Sequence, residues 1–203
     1  MKLNNILKSI ICLTMVSVFS FNGFDNDKIA YGLLELPTFS AEEIKLLAAN
    51  PKKMSKAYDC AIEASNETNK KYEKYCHWEG NGDAFRHAYW SALMTKKIDK
   101  EFAWKEGLAH EGLGTSYDFG KQKDEIKMDI SNNYSGRQIG ETYKDSNDGT
   151  ISAVCRIHCS NGKFKRVRTR TSKTKGDGVK KEYGVWTIFV GYYKATNKGG
   201  LIE

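Results

Sequence analysis

The spacing of apolar residues changes once along the chain. From Ser40 to about residue 160 they recur at three- and four-residue intervals, the period of helices with one buried face. After Gly162 the pattern shortens to alternation among β-forming residues, the period of a strand. Ser40-Ala-Glu-Glu43 is a capping box, in which Ser40 caps a first helix and Glu43 reaches back. That helix passes Leu46 and Leu47 and stops at Asn50. Pro51 suits the first turn of a second helix, which carries Met54, Ala57, Tyr58, Ala61 and Ile62 and continues to Lys71 or Tyr75. Residues 78–82 read as a loop. Further helices are expected over 83–98, 100–110, 123 to about 143, and 151–159. Residues 163–170 and 185–190 read as the strands of a hairpin with a long polar connection. The expected fold is mainly α: five or six helices over residues 38–160, followed by a basic β-hairpin extension over 161–203.

Residues 1–20 read as a signal peptide, with Lys2 and Lys8 ahead of a short apolar run and small residues near Ser20. The expectation is an exported bacterial protein, secreted or held at the cell surface. No stretch reaches the roughly 20 apolar residues of a membrane span, so no stable span is expected after cleavage. Cys12 lies inside the signal segment. The other four cysteines, Cys60, Cys76, Cys155 and Cys159, form an even set that suggests disulfides in an exported chain. If bridges form, at least one is expected to join the 60–76 segment to the 155–159 segment; unpaired thiols are the other outcome. Zinc held by Cys155, His158 and Cys159 is the less favoured alternative.

Charge sharpens the picture of partners. The chain carries a net charge of +7, and residues 163–181 hold nine Lys or Arg against one Asp. Lys165, Arg166, Arg168 and Arg170 are therefore candidate contacts to an anionic substrate or surface polymer, bound with a steep salt dependence.

The middle helices carry the candidate chemistry. Asp83 and His87 are four residues apart and share a helical face, and Arg86 lies between them. His110 and Glu111 end the fourth helix. Asp129, Asn132, Asn133 and Gly136 fall on one face of the fifth. Asparagine is a mediocre helix former, so an adjacent pair inside a helix implies side-chain demands that override propensity. Gly107 and Gly136 would let neighbouring helices approach beside these polar groups. If the faces converge, two imidazoles and several carboxylates surround one point, a donor set suited to zinc, manganese or iron. His87, His110 and Asp129 are the expected ligands and Glu111 the acid/base. Asp83 would assist catalysis by orienting His87, Arg86 or Asn133 would serve it as a substrate or oxyanion contact, and Asn132 would bind substrate.

The run from Gly82 to Met94, then Ala109-His-Glu111, Met128-Asp-Ile-Ser-Asn-Asn133 and Gly136-Arg137, resembles one uncharacterised bacterial domain family. It is a domain of unknown function in secreted, wall-associated and toxin-like proteins. Its pattern is approximately D-A-x-R-H-x-x-W, A-H-E, M-D-x-x-N-N and G-R. The resemblance covers about residues 40–160 and implies a shared site of Asp83, Arg86, His87, His110, Glu111, Asp129, Asn132 and Asn133, without an established reaction. Family members often carry a histidine where this chain has Ser131. The order His87, His110-Glu111, Asp129 is similar in part to the all-helical HD phosphohydrolases, which have His-Asp where this chain has His-Glu.

Two functions are therefore expected as rivals. The first is a metal-dependent hydrolase acting on an anionic phosphoester or lipid. The second is a non-catalytic surface module that binds polyanions through the hairpin, its polar cluster being a structural network.

Overall fold

The computed structural model describes residues 39–170 and 187–194, with side chains described as far as Val167. The signal segment, and the side chains of Arg168 and Arg170, lie outside the described residues. The fold is mainly α, as the periodicity implies. Among the described residues six α-helices are followed by two antiparallel strands, β1 (Lys165–Arg170) and β2 (Thr187–Lys194), with a register irregularity between Val167 and Thr169. No helix among the described residues is long and apolar enough to cross a membrane.

Helix α1 (Ala41–Ala49) starts on the expected capping box. Ser40 Oγ accepts from Glu43 N at 3.0 Å, and Glu43 Oε2 accepts from Ser40 N at 2.6 Å. Pro51 opens α2 (Pro51–Lys71), where its missing N–H costs no helical hydrogen bond. Met54, Ala57, Cys60, Ala64 and Thr68 form its buried stripe. The helix ends where Tyr72 turns extended, and a single 3-10 turn, Lys74–Cys76, follows. The chain therefore bends between Cys60 and Cys76 and does not continue helical to Tyr75.

Helix α3 (Asn81–Lys97) is the axis of the molecule. It begins two residues earlier than expected, because Asn81 and Gly82 join its first turn. Between Asn81 and Thr95 every residue except Arg86 is buried. A helix buried on nearly all sides must be covered on all of them, and α3 packs against α2, α4, α5 and α6. Its closest neighbour is α5 (Asp124–Thr142). A Cβ at Gly136 would stand 2.1 Å from the Ala88 carbonyl oxygen, and one at Gly140 2.5 Å from that of Ala92. Two glycines one turn apart thus let the backbones touch.

Helix α4 (Lys100–His110) is capped by Asp99, whose Oδ1 accepts from Phe102 N at 2.7 Å. Helix α6 (Asp148–Ser160) starts three residues before its expected position because Asn147 caps it. Strand β1 is fastened to α5 by one side chain. Asn132 Nδ2 donates to Lys165 O at 2.9 Å, and Asn132 Oδ1 accepts from Lys165 N at 2.8 Å.

The cysteine expectation is corrected. Cys60, Cys76, Cys155 and Cys159 are buried thiols and no disulfide joins them. Burial raises the Cys60 thiol to about 12 and that of Cys76 to about 11, because the thiolate loses its hydration. Packing, with no covalent bridge, brings the two segments together: Tyr72 interacts with both Cys76 and Cys159.

Candidate metal centre

The loop before α3 sets the first carboxylate. Glu79 adopts a left-handed conformation with φ of 55°. Its N–H donates to Asp83 Oδ2 at 2.7 Å. Asp83 sits in the first turn of α3, where the helix dipole favours a negative charge. Its Oδ1 accepts from Arg86 Nη2. Burial pushes the Asp83 carboxyl above its usual range, and Arg86 and the Glu79 N–H oppose that rise.

One turn on, His87 lies 5% exposed among Ala84, Ala88 and Trp90. Its Nε2 stands 3.6 Å from Asp83 Oδ1 and 3.3 Å from Asp129 Oδ1, which reaches in from α5. Ligand atoms from Asp83, His87 and Asp129 all lie within 4.8 Å of one another, a group that could hold a metal ion. Among the described residues no other His, Cys and carboxylate group is this tight, the Cys155–His158–Cys159 segment included. Burial, with Arg86 and His110 close by, holds His87 well below its usual value. It is therefore neutral, the form that binds metals. Asp129 is pushed well above the carboxylate range by burial and by Asp83 and Glu111. Two carboxylates this close resist joint ionisation unless a cation joins them.

Three polar features in and beside this group lack partners. His87 Nδ1, Asp129 Oδ1 and both amide atoms of Asn133 are buried without a hydrogen bond. Asn133 is 1% exposed and follows Asp129 by one turn. It fits because Gly107 has no side chain: a Cβ there would be 3.1 Å from Asn133 Nδ2. The close approaches expected at Gly107 and Gly136 are thus both present.

His110, at the end of α4, closes the other flank. Its ring centroid is 6.0 Å from that of His87, and the Trp90 ring lies edge-on to both, at 5.2 and 6.3 Å. His110 is outside the tight group, and Asp83 is inside it. Of the expected ligands His87, His110 and Asp129, the tight group contains His87 and Asp129, together with Asp83, the residue expected to orient His87. His110 Nδ1 contacts Glu43 Oε1 at 3.0 Å. Although burial lowers the His110 value, Glu43, with Glu111 and Glu106, more than offsets it, and the net direction is upward. Glu111 is raised to about 7 by burial, against the pull of His110, with Asp83 and Glu43 adding to the rise. That value suits proton transfer near neutral pH.

Several expected contacts lie elsewhere. Asn132 is committed to the backbone of Lys165, so it anchors β1 and does not face the carboxylates. Arg166 is 6% exposed, which removes it from any open basic face. Lys165 is half-buried beside α5. Two buried acids, Glu43 and Glu106, escaped the sequence reading. Glu43 was absorbed by its capping role. Glu106 had a legible signal, since Glu106-x-x-x-His110 repeats the spacing of Asp83-x-x-x-His87. Arg137 also lies buried, with its guanidinium 5.7 Å from the Tyr134 ring.

A family model described as "Domain of unknown function (DUF6973)" matches residues 44–163, which span α1 to α6 and both histidines. No curated protein and no solved structure matches the chain.

Proposed function

This chain belongs to the family described as a domain of unknown function (DUF6973), and we propose that it is an exported bacterial hydrolase that cleaves an anionic phosphoester with a divalent metal held by Asp83, His87 and Asp129. One observation carries the reading. Ligand atoms of Asp83, His87 and Asp129 converge within 4.8 Å, and buried Asp129 Oδ1 has the 3.3 Å approach of His87 Nε2 but no well-directed hydrogen bond. A network serving only to hold helices together would align that contact, since buried polar atoms are nearly always satisfied. A cation is the partner that this chemistry lacks. One imidazole and two carboxylates suit zinc, manganese or iron.

When bound, the ion supplies Lewis acidity to the ester oxygen. Glu111 takes a proton from the attacking water and returns it to the leaving alkoxide. The water oxygen bonds to phosphorus as the bond to the leaving oxygen breaks. Arg86 alone on the buried stretch of α3 reaches outward, and its guanidinium meets a phosphoryl oxygen. Asn133 offers its unpartnered amide. The anionic substrate is a lipid headgroup or surface polymer, in keeping with export.

The test is metal content and turnover of phosphomonoester and phosphodiester chromogens, measured on protein purified without chelators. Wild-type protein is expected to carry metal and to turn over. His87→Ala should lose both, and Glu111→Gln should keep the metal and lose turnover by at least about 100-fold, the usual contribution of a general base. Protein without metal or turnover, whose binding to polyanions falls with salt, would be the surface module.

A further inference from the structure

We propose that the site works at the surface of an anionic lipid bilayer: Trp78 enters the headgroup layer at its rim, and a phospholipid headgroup is the phosphoester presented to it. The choice of substrate rests on the hydrolase reading of Asp83, His87 and Asp129, whereas the docking of Trp78 stands without it.

Trp78 is 74% exposed, the most exposed large apolar side chain among the described residues. Covalent geometry fixes its place. The nitrogen of the next residue, Glu79, donates to Asp83 Oδ2 at 2.7 Å. The Trp78 Cα is two bonds from that nitrogen, so it lies within about 6 Å of a carboxylate oxygen of the metal group. The loop around it is tightly packed on the preceding 3-10 turn. A Cβ at Gly80 would stand 2.8 Å from the Cys76 carbonyl oxygen, and one at Gly82 2.9 Å from the same atom. A close-packed loop thus holds an indole out in solvent beside the site. Arg86 shares this rim, since its guanidinium donates to Asp83 Oδ1 and its side chain is 38% exposed. The two oxygens of Asp83 therefore tie down the backbone that carries the exposed indole and the exposed guanidinium.

An apolar side chain held in water gains free energy by burial. Tryptophan, with an apolar body and one N–H, suits the boundary between headgroups and acyl chains. The charge around Trp78 selects an anionic surface. Residues 70–78 carry Lys70, Lys71 and Lys74 against Glu73. Lys70 has a side chain 71% exposed and lies 3.9 Å from Glu67, a loose pair, and Lys74 is also exposed. His77 N donates to Lys74 O at 3.1 Å, which folds Lys74 back against the residue before Trp78. Each basic residue near an anionic leaflet adds attraction, and the chain as a whole carries +7. A soluble polyanion could use the lysines but has no apolar layer to receive the indole, whereas an anionic bilayer uses both. With the indole seated among headgroups, Arg86 faces the level of their phosphates.

The test measures partition of the full-length protein onto vesicles of phosphatidylcholine and phosphatidylglycerol by sedimentation. Pure phosphatidylcholine vesicles and a soluble anionic wall polymer are the comparisons. Phospholipids brominated on the acyl chain near the headgroup report, by quenching, a tryptophan at that depth. Wild-type protein is expected to bind the mixed vesicles with quenching, and pure phosphatidylcholine more weakly. Trp78→Ala should lower partition about tenfold, the range for losing one buried aromatic side chain. Trp78→Phe should stay bound and lose the quenching, which separates Trp78 from the other three tryptophans. Unchanged partition of Trp78→Ala, quenching that persists in Trp78→Phe, or binding to the polymer without binding to vesicles overturns the docking and leaves the metal-dependent hydrolase standing. Trp78-dependent vesicle binding by a protein that turns over no phosphoester upholds the docking and overturns the substrate.

Discussion

His87 and His110 stand 6.0 Å apart, yet the fold restrains them by different means. His87 is enclosed by small residues of α3 and by the glycine-mediated approach of α5, and its Nδ1 makes no hydrogen bond. His110 has a side chain 44% exposed and is held by a carboxylate from α1. Packing dominates at one ring, and a carboxylate joins the edge-on Trp90 ring at the other. The packed ring leaves Nδ1 unbonded while Nε2 faces Asp83 and Asp129, at the cost of tolerating no change in the neighbouring backbone. A ring fixed by an acid tolerates change around it and depends on that one partner.

The strongest way to break the comparison is Gly136→Ala. Its Cβ would meet the Ala88 carbonyl at 2.1 Å, so α3 and α5 must separate. The expected loss is about 3 kcal/mol or more, the upper range for overpacking a core. Chemical denaturation measures it. The His87 side should be disrupted first, while the Glu43–His110 contact, which involves neither α3 nor α5, should persist in the histidine resonances.

Next come the adjacent asparagines of α5, which look alike in sequence and differ in what they hold. Asn132→Ala removes both hydrogen bonds to Lys165 and should cost about 2 kcal/mol, the range for leaving buried backbone groups unpaired. Asn133→Ala removes only an amide that meets the His87 ring in poor alignment, so denaturation should shift by less than about 1 kcal/mol. If Asn133→Ala proved the costlier of the pair, its amide would have a structural partner and its assignment as a substrate contact would fail.

How much of this was legible follows from the range of each interaction. The capping box at Ser40 and Glu43, Pro51 in the first turn of α2, and the shared face of Asp83 and His87 depend on neighbours within four residues, and all are present. The glycine reading also succeeded, since a missing side chain beside a polar group implies close approach whatever the partner. Asn132 misled because its partner, Lys165, is 33 residues away. Glu43 has one local role and one at a separation of 67 residues, and only the first could be read. Arg166 looked like part of a basic face because strand alternation does not say which side is covered. The cysteine count suggested covalent bridges where apolar burial alone accommodates four thiols.

A comparably small effect is expected from a control remote from His87 and His110. Asp148 at the start of α6 pairs with Lys96 at 2.6 Å and Lys97 at 2.8 Å, near the far end of α3. Burial would raise its carboxyl, but the two lysines outweigh that and lower it. A lowered folded-state value contributes stability above the unfolded value, about 3.9, and that contribution is lost as pH falls through the folded value. Asp148→Asn should therefore destabilise by less than about 1 kcal/mol at neutral pH, as exposed pairs do. Wild type and variant should converge on acidification, read from denaturation midpoints between neutral pH and about pH 3. Neither histidine environment should respond.

The enclosure of α3 has a kinetic consequence. A helix covered on every side cannot fray sideways, so most of its amides can exchange with solvent only when the whole bundle opens. Asp83 and His87 are thus carried by the segment that unfolds last, and their spacing survives any lesser fluctuation of the protein.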